Sequence, residues 1–287
     1  MLIYTQQPDS TALAALDVLV ATCKQADGNA IALYRDLLAH YRSRPCSLLH
    51  YEGNQLIGFA AVFFFEYDVG EITLLVAPTH RKKGIAHGLL QTMLALIQAD
   101  RPIETLLFST PHGLYDAELL HRGLQYAGSE YEMQRKSHEP LALNIHTLSI
   151  REATPADIDT LCAIDSQCFP VGQPSSETRF ANLLMRPDHT LFLAIHEQAV
   201  IGKAHLARHA QAAHLSDIAI LPTLQRQGFG RALITHCINH ALTWPQTNVT
   251  LGVETSNQNA LQLYLHLGFT ISNAIDYWGC PFTRDRV

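Results

Sequence analysis

Apolar positions in residues 11–26, TALAALDVLVATCKQA, recur at helical spacing behind Ser10, which predicts a helix started by that serine. A second helical stretch is expected near residues 30–41. From residue 47 the pattern changes: SLLHYEGNQLIGFAAVFFF reads as two strands joined at Glu52-Gly53-Asn54. A helix over 87–98 should end before Arg101-Pro102, because a residue preceding proline is biased away from helix, and TLLFST at 105–110 reads as a strand. Residues 136–149 have mixed polarity and Pro140, with neither period sustained, and are expected to be a linker. A fresh unit follows. Thr154 can cap a helix, Pro155 suits its first position and Asp157 can reach back in a capping box. Strands are expected at 191–195 and 200–205 around a Glu197-Gln198 turn, then at 214–220 and 249–254 on either side of a helix at 231–242. The order of elements is the same in both halves. One duplicated α/β unit, with domains at 1–138 and 149–287, is therefore the economical reading.

Two segments overlay without a gap, TLLVAPTHRKKGIAHGLL at 73–90 and DIAILPTLQRQGFGRALI at 217–234. In each, an apolar run ends at a Pro-Thr pair, and a polar turn leads to a glycine two residues before another small residue. The turns are Arg81-Lys82-Lys83-Gly84-Ile85-Ala86 and Gln225-Arg226-Gln227-Gly228-Phe229-Gly230. Small residues let backbone approach a ligand, and a helix N-terminus offers unpaired N–H groups to an anion. The chain thus predicts a duplicated phosphate cradle. A dinucleotide fingerprint would need glycine at 233, where Leu233 stands, and no G-x-x-x-x-G-K-[ST] loop is present.

The Arg/Gln-x-x-Gly-x-Gly/Ala turn after a strand resembles the acetyl-CoA-binding turn of the GCN5-related N-acetyltransferases. Downstream, Asn257, Ala260, Leu263, Tyr264, Gly268 and Phe269 match that family's N-x-x-A-x-x-L-Y-x-x-x-G-F segment without departure. The resemblance implies two tandem domains, each a mixed, mostly antiparallel sheet flanked by helices. It implies acetyl-CoA as co-substrate and a small-molecule or peptide amine as acceptor. The amides of Gln225 to Arg231 would hold the pyrophosphate, with Arg226 and Arg231 near the phosphates, while Ile218, Ala219 and Ile220 would pair with the pantetheine arm. Asn257 would fix that arm or start a helix.

Acetyl transfer to an amine needs a neutral amine and a proton for the departing thiolate. Tyr264 stands where family members commonly place a general acid; the alternative is a ring packed on the sheet. For the base, counting back from the cradle without a gap puts His214 at a position that the family fills with histidine or glutamate. Ser216 shares its face of the strand, Asp217 is expected on the other face, and Glu254 is a third candidate. A surface histidine is the competing reading of His214. No cysteine lies in either motif, so direct attack in a ternary complex is favoured over an acetyl-cysteine route. Acceptor specificity is expected in the early helices and in loops such as 169–186.

Carried into the first half, the same count places Gly70 opposite His214, Ile72 opposite Ser216 and Leu119 opposite Tyr264. Glu71 and Tyr115 fall out of register. The first half would keep the cradle, through Arg81, Lys82, Lys83, Gly84 and Ala86, and lose the chemistry. A non-catalytic acyl-CoA-binding or sensing protein is the alternative.

Composition changes this picture little. At 287 residues, 47% hydrophobic and 16% charged, two ordinary globular cores are expected. The net charge of -6 does not favour nucleic acid. Six cysteines without a C-x-x-C pair, and no leader or membrane-length run, suit a reduced cytoplasmic protein. His236 and His240 share a helical face without the glutamate of H-E-x-x-H, so exposed histidines rather than a metal site are expected.

Overall fold

The computed structural model describes residues 1–44, 46–65, 68–98, 103–143, 148–169, 177–209, 212–245 and 248–282. The chain forms two compact units, Met1–Glu130 with Asn273–Val287, and Tyr131–Ser272. The cut therefore falls elsewhere than at 136–149. Of that stretch, Leu141 is tied at both its N–H and its carbonyl to the Asn239 amide, and residues 144–147 lie outside the described residues.

Unit 1 contains β1 (Leu2–Thr5), α1 (Ser10–Asp27), α2 (Arg35–Ala39), β2 (Ser47–Glu52), β3 (Gln55–Phe63), β4 (Val69–Val76), α3 (Ile85–Gln98), β5 (Thr105–Pro111), α4 (Asp116–His121) and the first part of β6 (Gln125–Arg135). Residues 273–281 of β12 (Thr270–Pro281) pair antiparallel with β5 and belong to this unit. Strands β1 to β4 are antiparallel neighbours, and β4 and β5 are parallel. Helix α1 covers one face through Leu13, Leu16 and Leu19, and α3 covers the other through Leu89, Met93 and Ile97. Strand β3 lies between them, which is why it reads as a continuous apolar run rather than an alternation.

Unit 2 repeats the plan with β7 (Leu148–Glu152), α5 (Ile158–Cys168), α6 (Glu177–Leu184), β8 (His189–His196), β9 (Ala199–Arg208), β10 (Ala212–Ile220), α7 (Phe229–Ala241), β11 (Asn248–Glu254) and α8 (Gln258–His266). Strands β7 to β10 are antiparallel, and β10 and β11 are parallel. Helix α7 inserts Leu233, Ile234, Cys237 and Ile238 into one core, while α5 and α6 bring Leu161 and Phe180 to Leu191 and Leu193 on the opposite face. Each such fully buried Leu or Ile stabilises by about 1.5–3 kcal/mol. Both units are thus mixed, mostly antiparallel sheets flanked by helices, as expected.

The helix starts show local chemistry. The Thr154–Asp157 capping box forms as the sequence predicts. At α1 the cap is Asp9, not Ser10, since the Asp9 carboxylate accepts from the Ala12 N–H at 2.7 Å. The helix expected at 30–41 shrinks to Arg35–Ala39. The Ala30 N–H and carbonyl are both taken by the Asn273 side chain, and the Ala32 carbonyl accepts from Thr73, so that backbone is committed elsewhere. Residues 177–184 of the expected specificity loop form α6, and 170–176 lie outside the described residues.

Candidate active site

The two cradles have the same backbone. In each, a 3-10 turn (Pro78–His80, Pro222–Leu224) is followed by an extended residue, Arg81 or Gln225. A left-handed residue comes next, Lys82 (φ 61°) or Arg226 (φ 62°), and then a left-handed glycine, Gly84 (φ 80°) or Gly228 (φ 88°). Gly228 is the N-cap of α7 and supplies no side-chain cap. The amides of residues 82–87 and of 226–231 make no hydrogen bond among the described residues, while Gly88 and Ala232 begin the helical ladders. Each cradle therefore presents six consecutive N–H groups with a helix dipole behind them, which suits a pyrophosphate.

The cradle side chains divide into staples and free cations. Gln225 donates to the Ile220 carbonyl at 3.0 Å, and Arg81 does the same to Val76 at 3.1 Å. The Arg81 guanidinium also grips Asp27 bidentately at 2.6 and 2.7 Å, so it braces the turn instead of facing outward. Lys82, Lys83, Arg226, Gln227 and Arg231 are exposed. Phe229 offers only its amide, because its ring is buried in the core against His196. Gly230 sits 3.7 Å, measured from an added Cβ, off the Ile220 side chain, and Gly84 faces open space, as does Ala86 at the surface.

Above each cradle two parallel strands part. Register between β10 and β11 ends at His214↔Thr250, although β10 runs on to Ile220 through Ile218 and Ala219. Register between β4 and β5 ends at Ile72↔Phe108, although β4 continues to Val76. Each opening exposes strand backbone directly before the cradle, where an extended amide-bearing ligand can add.

The strands themselves differ by one residue. β4 pairs with β3 without interruption, from Glu71↔Phe63 to Val76↔Gly58. β10 has a bulge against β9, between Ser216↔His205 and Ala219↔Lys203, with Asp217 in the left-handed region at φ 47°. Matching Gly58 to Gly202, the partners of Val76 and Ile220, makes Glu71 the counterpart of His214 and Thr73 that of Ser216. Gly70 and Ile72 are not those counterparts. The gapless count failed because the bulge adds a residue.

The bulge also overturns the face expected for Asp217. Directly opposed residues on antiparallel strands share a face, so Ser216 and His205 do, and Asp217 joins them. Its carboxylate meets His205 Nδ1 at 2.8 Å and Arg179 at 2.7 Å. Arg179 reaches on to Asp165 at 3.0 Å, Asp165 binds Lys203 Nζ at 2.6 Å, and Lys203 Nζ lies 3.3 Å from His205 Nε2. These five residues close a ring in which Lys203 is fully buried. Lys203 can only donate, so Nε2 accepts and Nδ1 carries the proton toward Asp217, the neutral tautomer. Burial accordingly pushes His205 below the usual histidine range. Burial pushes Asp217 upward, but the His205 hydrogen bond and the surrounding cations outweigh it and hold the carboxyl well below the usual range. A lysine inside the apolar run VIGKAHLA, two residues from a histidine, was the available signal for this ring.

His214 is half-buried with Nδ1 3.2 Å from the Thr250 hydroxyl, and burial followed by the His209 charge lowers its pKa, which keeps the imidazole neutral and able to accept a proton. Ser216 is half-buried on the same face. Tyr264 on α8 is 7% exposed, and burial alone raises its phenol to about 12. Its hydroxyl has no hydrogen-bond partner among the described residues and is not sealed from solvent. A protonated phenol without a protein partner can serve as an acid. Asn257 is the N-cap of α8, its side chain accepting from Ala260 at 3.1 Å. Glu254 is exposed and bonded to Ser256. In unit 1, Leu119 is the counterpart of Tyr264. The Leu124 and Phe269 amides bond back to Leu119 and Tyr264 at 3.0 Å, around left-handed Gly123 and Gly268.

Other expectations resolve as packing. His236 and His240 are half-buried, each edge-on to Phe192 at 5.0 Å, rather than exposed. Among the described residues no group of three ligating side chains could hold a metal, and no helix is long and apolar enough to cross a membrane. All six cysteines are free, with Cys23 and Cys237 buried.

Comparison with known proteins agrees with this geometry. The Acetyltransferase (GNAT) family matches residues 14–112 and 158–269, one stretch in each half. The chain is 25% identical over 229 residues to a mycothiol acetyltransferase of Nocardioides sp., covering 70% of this chain and 76% of that protein. It is 33% identical over 91 residues to the [ribosomal protein bS18]-alanine N-acetyltransferase of Salmonella typhimurium, 55% of whose length is covered. In fold, it superposes on a GCN5-related N-acetyltransferase from Sphaerobacter thermophilus with a TM-score of 0.80 at 17% identity, covering 98% of this chain and 95% of that one. It also superposes on a tandem GNAT protein from the clavulanic acid biosynthesis pathway with a TM-score of 0.70 at 14% identity, each chain covered over 98%. With the duplicated cradle and the parted strands already in place, the chain belongs to the GNAT acetyltransferase family and carries two copies of its fold.

Proposed function

We propose that unit 2 is an acetyl-CoA-dependent N-acetyltransferase that moves an acetyl group to a primary amine by direct attack in a ternary complex. The observation that carries this reading is the conjunction, in one unit, of six unpartnered cradle amides, an opened strand pair and a partner-free Tyr264 hydroxyl. When bound, acetyl-CoA supplies the activated acyl group. The amides of 226–231 would hold its pyrophosphate, with Arg226 and Arg231 alongside, and Ile218 to Ile220 would hold its amide-bearing arm. His214 is the group that takes the amine proton, directly or through water, with Ser216 beside it on the same face. Tyr264, kept protonated by burial, delivers a proton to the leaving sulfur. The acceptor is a small-molecule or peptide amine, a class that the names of the relatives support.

A non-catalytic acyl-CoA-binding protein is the competing reading, favoured by the apolar Leu119 at the counterpart of Tyr264 in unit 1. Titration calorimetry of acetyl-CoA into the whole protein, repeated with Gly228→Glu and Gly84→Glu, tests the assignment. Loss of binding only with Gly228→Glu supports one working site in unit 2. Loss only with Gly84→Glu, or no binding by the unaltered protein, overturns it. Tight binding without thioester cleavage across a broad amine panel would favour the sensor.

A further inference from the structure

The ionic ring of unit 2 stands where unit 1 has an apolar core. The faces of α1 and α5 are matched by two thiols at the same place on the two strands: Cys23 donates to the Val76 carbonyl at 3.5 Å, and Cys168 to that of Ile220 at 3.7 Å. Three residues back in each helix stand Val20 and Asp165. Phe59 and Ala61 hold the places of Lys203 and His205, and Val20, Phe59 and Ala61 pack in one apolar cluster. The fold is thus satisfied by hydrocarbon here. A buried ionic network gains little stability over such packing, because desolvation of the charges offsets their attraction. The ring therefore serves for something other than filling the core.

What separates the two strands at this level is the bulge. Asp217, at φ 47°, adopts a left-handed conformation that residues with a side chain rarely take and that carries strain. Its carboxylate is held from two sides, by His205 Nδ1 at 2.8 Å and by Arg179 at 2.7 Å. Arg179 is itself fixed. Its other amino group reaches Asp165 at 3.0 Å, and its guanidinium lies 5.4 Å from the ring centre of the fully buried Phe180. A planar fork between a carboxylate on α5 and one on the bulge makes a rigid strut. The bulge divides β10, with His214↔Ala207 and Ser216↔His205 on one side, and Ala219↔Lys203 and Ile220↔Gly202 on the other. Straightening the strand would slip one side by a residue, and such a slip turns side chains to the opposite face.

We propose that Arg179 is a positioning residue for the chemistry of unit 2: braced on Asp165, it holds Asp217 in the bulge, and the bulge keeps His214 and Ser216 on their shared face while Ile218 to Ile220 stay aligned with the cradle. This rests on the acetyl-transfer reading of unit 2. Lys203 completes the support, since it pairs with Asp165 at 2.6 Å and donates to His205 Nε2 at 3.3 Å, which leaves the Nδ1 proton directed at Asp217. The cradle side of the bulge is anchored separately, the Leu221 N–H donating to the Ile201 carbonyl at 2.8 Å. Loss of the strut therefore displaces the residues upstream and spares the grip on acetyl-CoA.

Nuclear magnetic resonance of the whole labelled protein reads the sign of φ at Asp217 from its backbone shifts, beside steady-state kinetics, acetyl-CoA calorimetry and thermal melts. Arg179→Met should abolish the left-handed signature and lower kcat by about 10²-fold, the usual effect of misplacing a reacting group by about 1 Å, with acetyl-CoA affinity little changed. Arg179→Met combined with Asp217→Gly should recover most of that kcat, because glycine takes a positive φ without a strut. A ring that only stabilised the core would lower Tm, leave the signature and kcat in place, and gain nothing from the glycine. Where Arg179→Met does not fold, Arg179→Lys, which keeps the charge and cannot fork to both carboxylates, should weaken the same signature. A left-handed Asp217 in the Arg179 variants, or a double variant no faster than Arg179→Met, overturns the proposal. Absence of turnover in the unaltered protein would instead sink the acetyl-transfer reading, and the Asp217 signature would still decide whether Arg179 holds the bulge.

Discussion

Strands β4 and β10 end in cradles whose backbone angles agree within about ten degrees, yet the strands differ by one residue, and that residue redistributes the chemistry upstream. The bulge in β10 turns Asp217 onto the face of Ser216 and His205, and with Lys203, Asp165 and Arg179 the outcome is a buried ionic ring. Unit 1 is straight at this point. The places of Lys203 and His205 are held by Phe59 and Ala61, and Thr73 simply bonds the Ala32 carbonyl. The backbone of the turn and the register of the strand that feeds it are therefore separable features of the fold. Two copies of one fold can share a cradle backbone while the side chains on the strand before it differ.

The largest expected effect tests the acid, the position at which the two units differ most plainly. Tyr264→Phe should lower turnover by about 10²–10⁴-fold, the usual worth of general acid–base catalysis, with acetyl-CoA affinity little changed because the cradle is untouched. Steady-state kinetics beside calorimetry would show it. Unchanged turnover would move the chemistry away from α8, and a parallel loss in Leu119 variants would return it to unit 1.

The second effect concerns stability, and the two units should respond to pH with opposite sign. Glu71 titrates near 7 in the folded unit against an ordinary 4.5. A raised carboxyl contributes stability that is full below about 4.5 and lost as pH rises through 7, on the order of 3 kcal/mol. In unit 2, His205 and Asp217 are both lowered. Their stability is present above the ordinary values of 6.5 and 3.8 and lost as pH falls below each in turn. Hydrogen-exchange protection, corrected for intrinsic rates, should thus decline in β4 and rise in β10 between pH 5 and 8. Glu71→Gln should flatten the β4 profile and raise its protection at pH 8. A slope that survives the substitution would remove Glu71 as its source.

What the sequence made legible was whatever depends on local pattern. The cradles, the capping box at Thr154, the hairpin at Glu52-Gly53-Asn54 and the element order all follow from residues close together in the chain. What stayed hidden depends on pairing. Helix 30–41 shortened because Asn273 and Thr73 claim its backbone. The bulge was invisible because Asp217 adopts a positive φ without being glycine, so nothing in the local pattern announced an extra residue. The single slip put Gly70 where Glu71 belongs and hid the only carboxylate on β4. Strands β1, β6 and β12 went unpredicted for a related reason: their runs are short or mixed in polarity, and their partners are distant in sequence.

The smallest expected effect separates the helices that follow the paired strands. α8 has nine residues and a true cap in Asn257, whereas α4 has six and begins after Tyr115 with no side-chain cap. Asn257→Ala should remove about 1 kcal/mol of stability, because it leaves an N-terminal amide of α8 without its acceptor. Asn257→Asp, which restores an acceptor, should recover most of that loss. If Asn257 also grips the pantetheine arm through its amide N–H, the two variants diverge in a second readout. Asp would restore stability and leave acetyl-CoA affinity reduced, since a carboxylate has no N–H to donate. Thermal melts and calorimetry on the same pair of proteins therefore distinguish a cap from a cap that also binds. Equal recovery in both measurements would assign Asn257 to the helix alone.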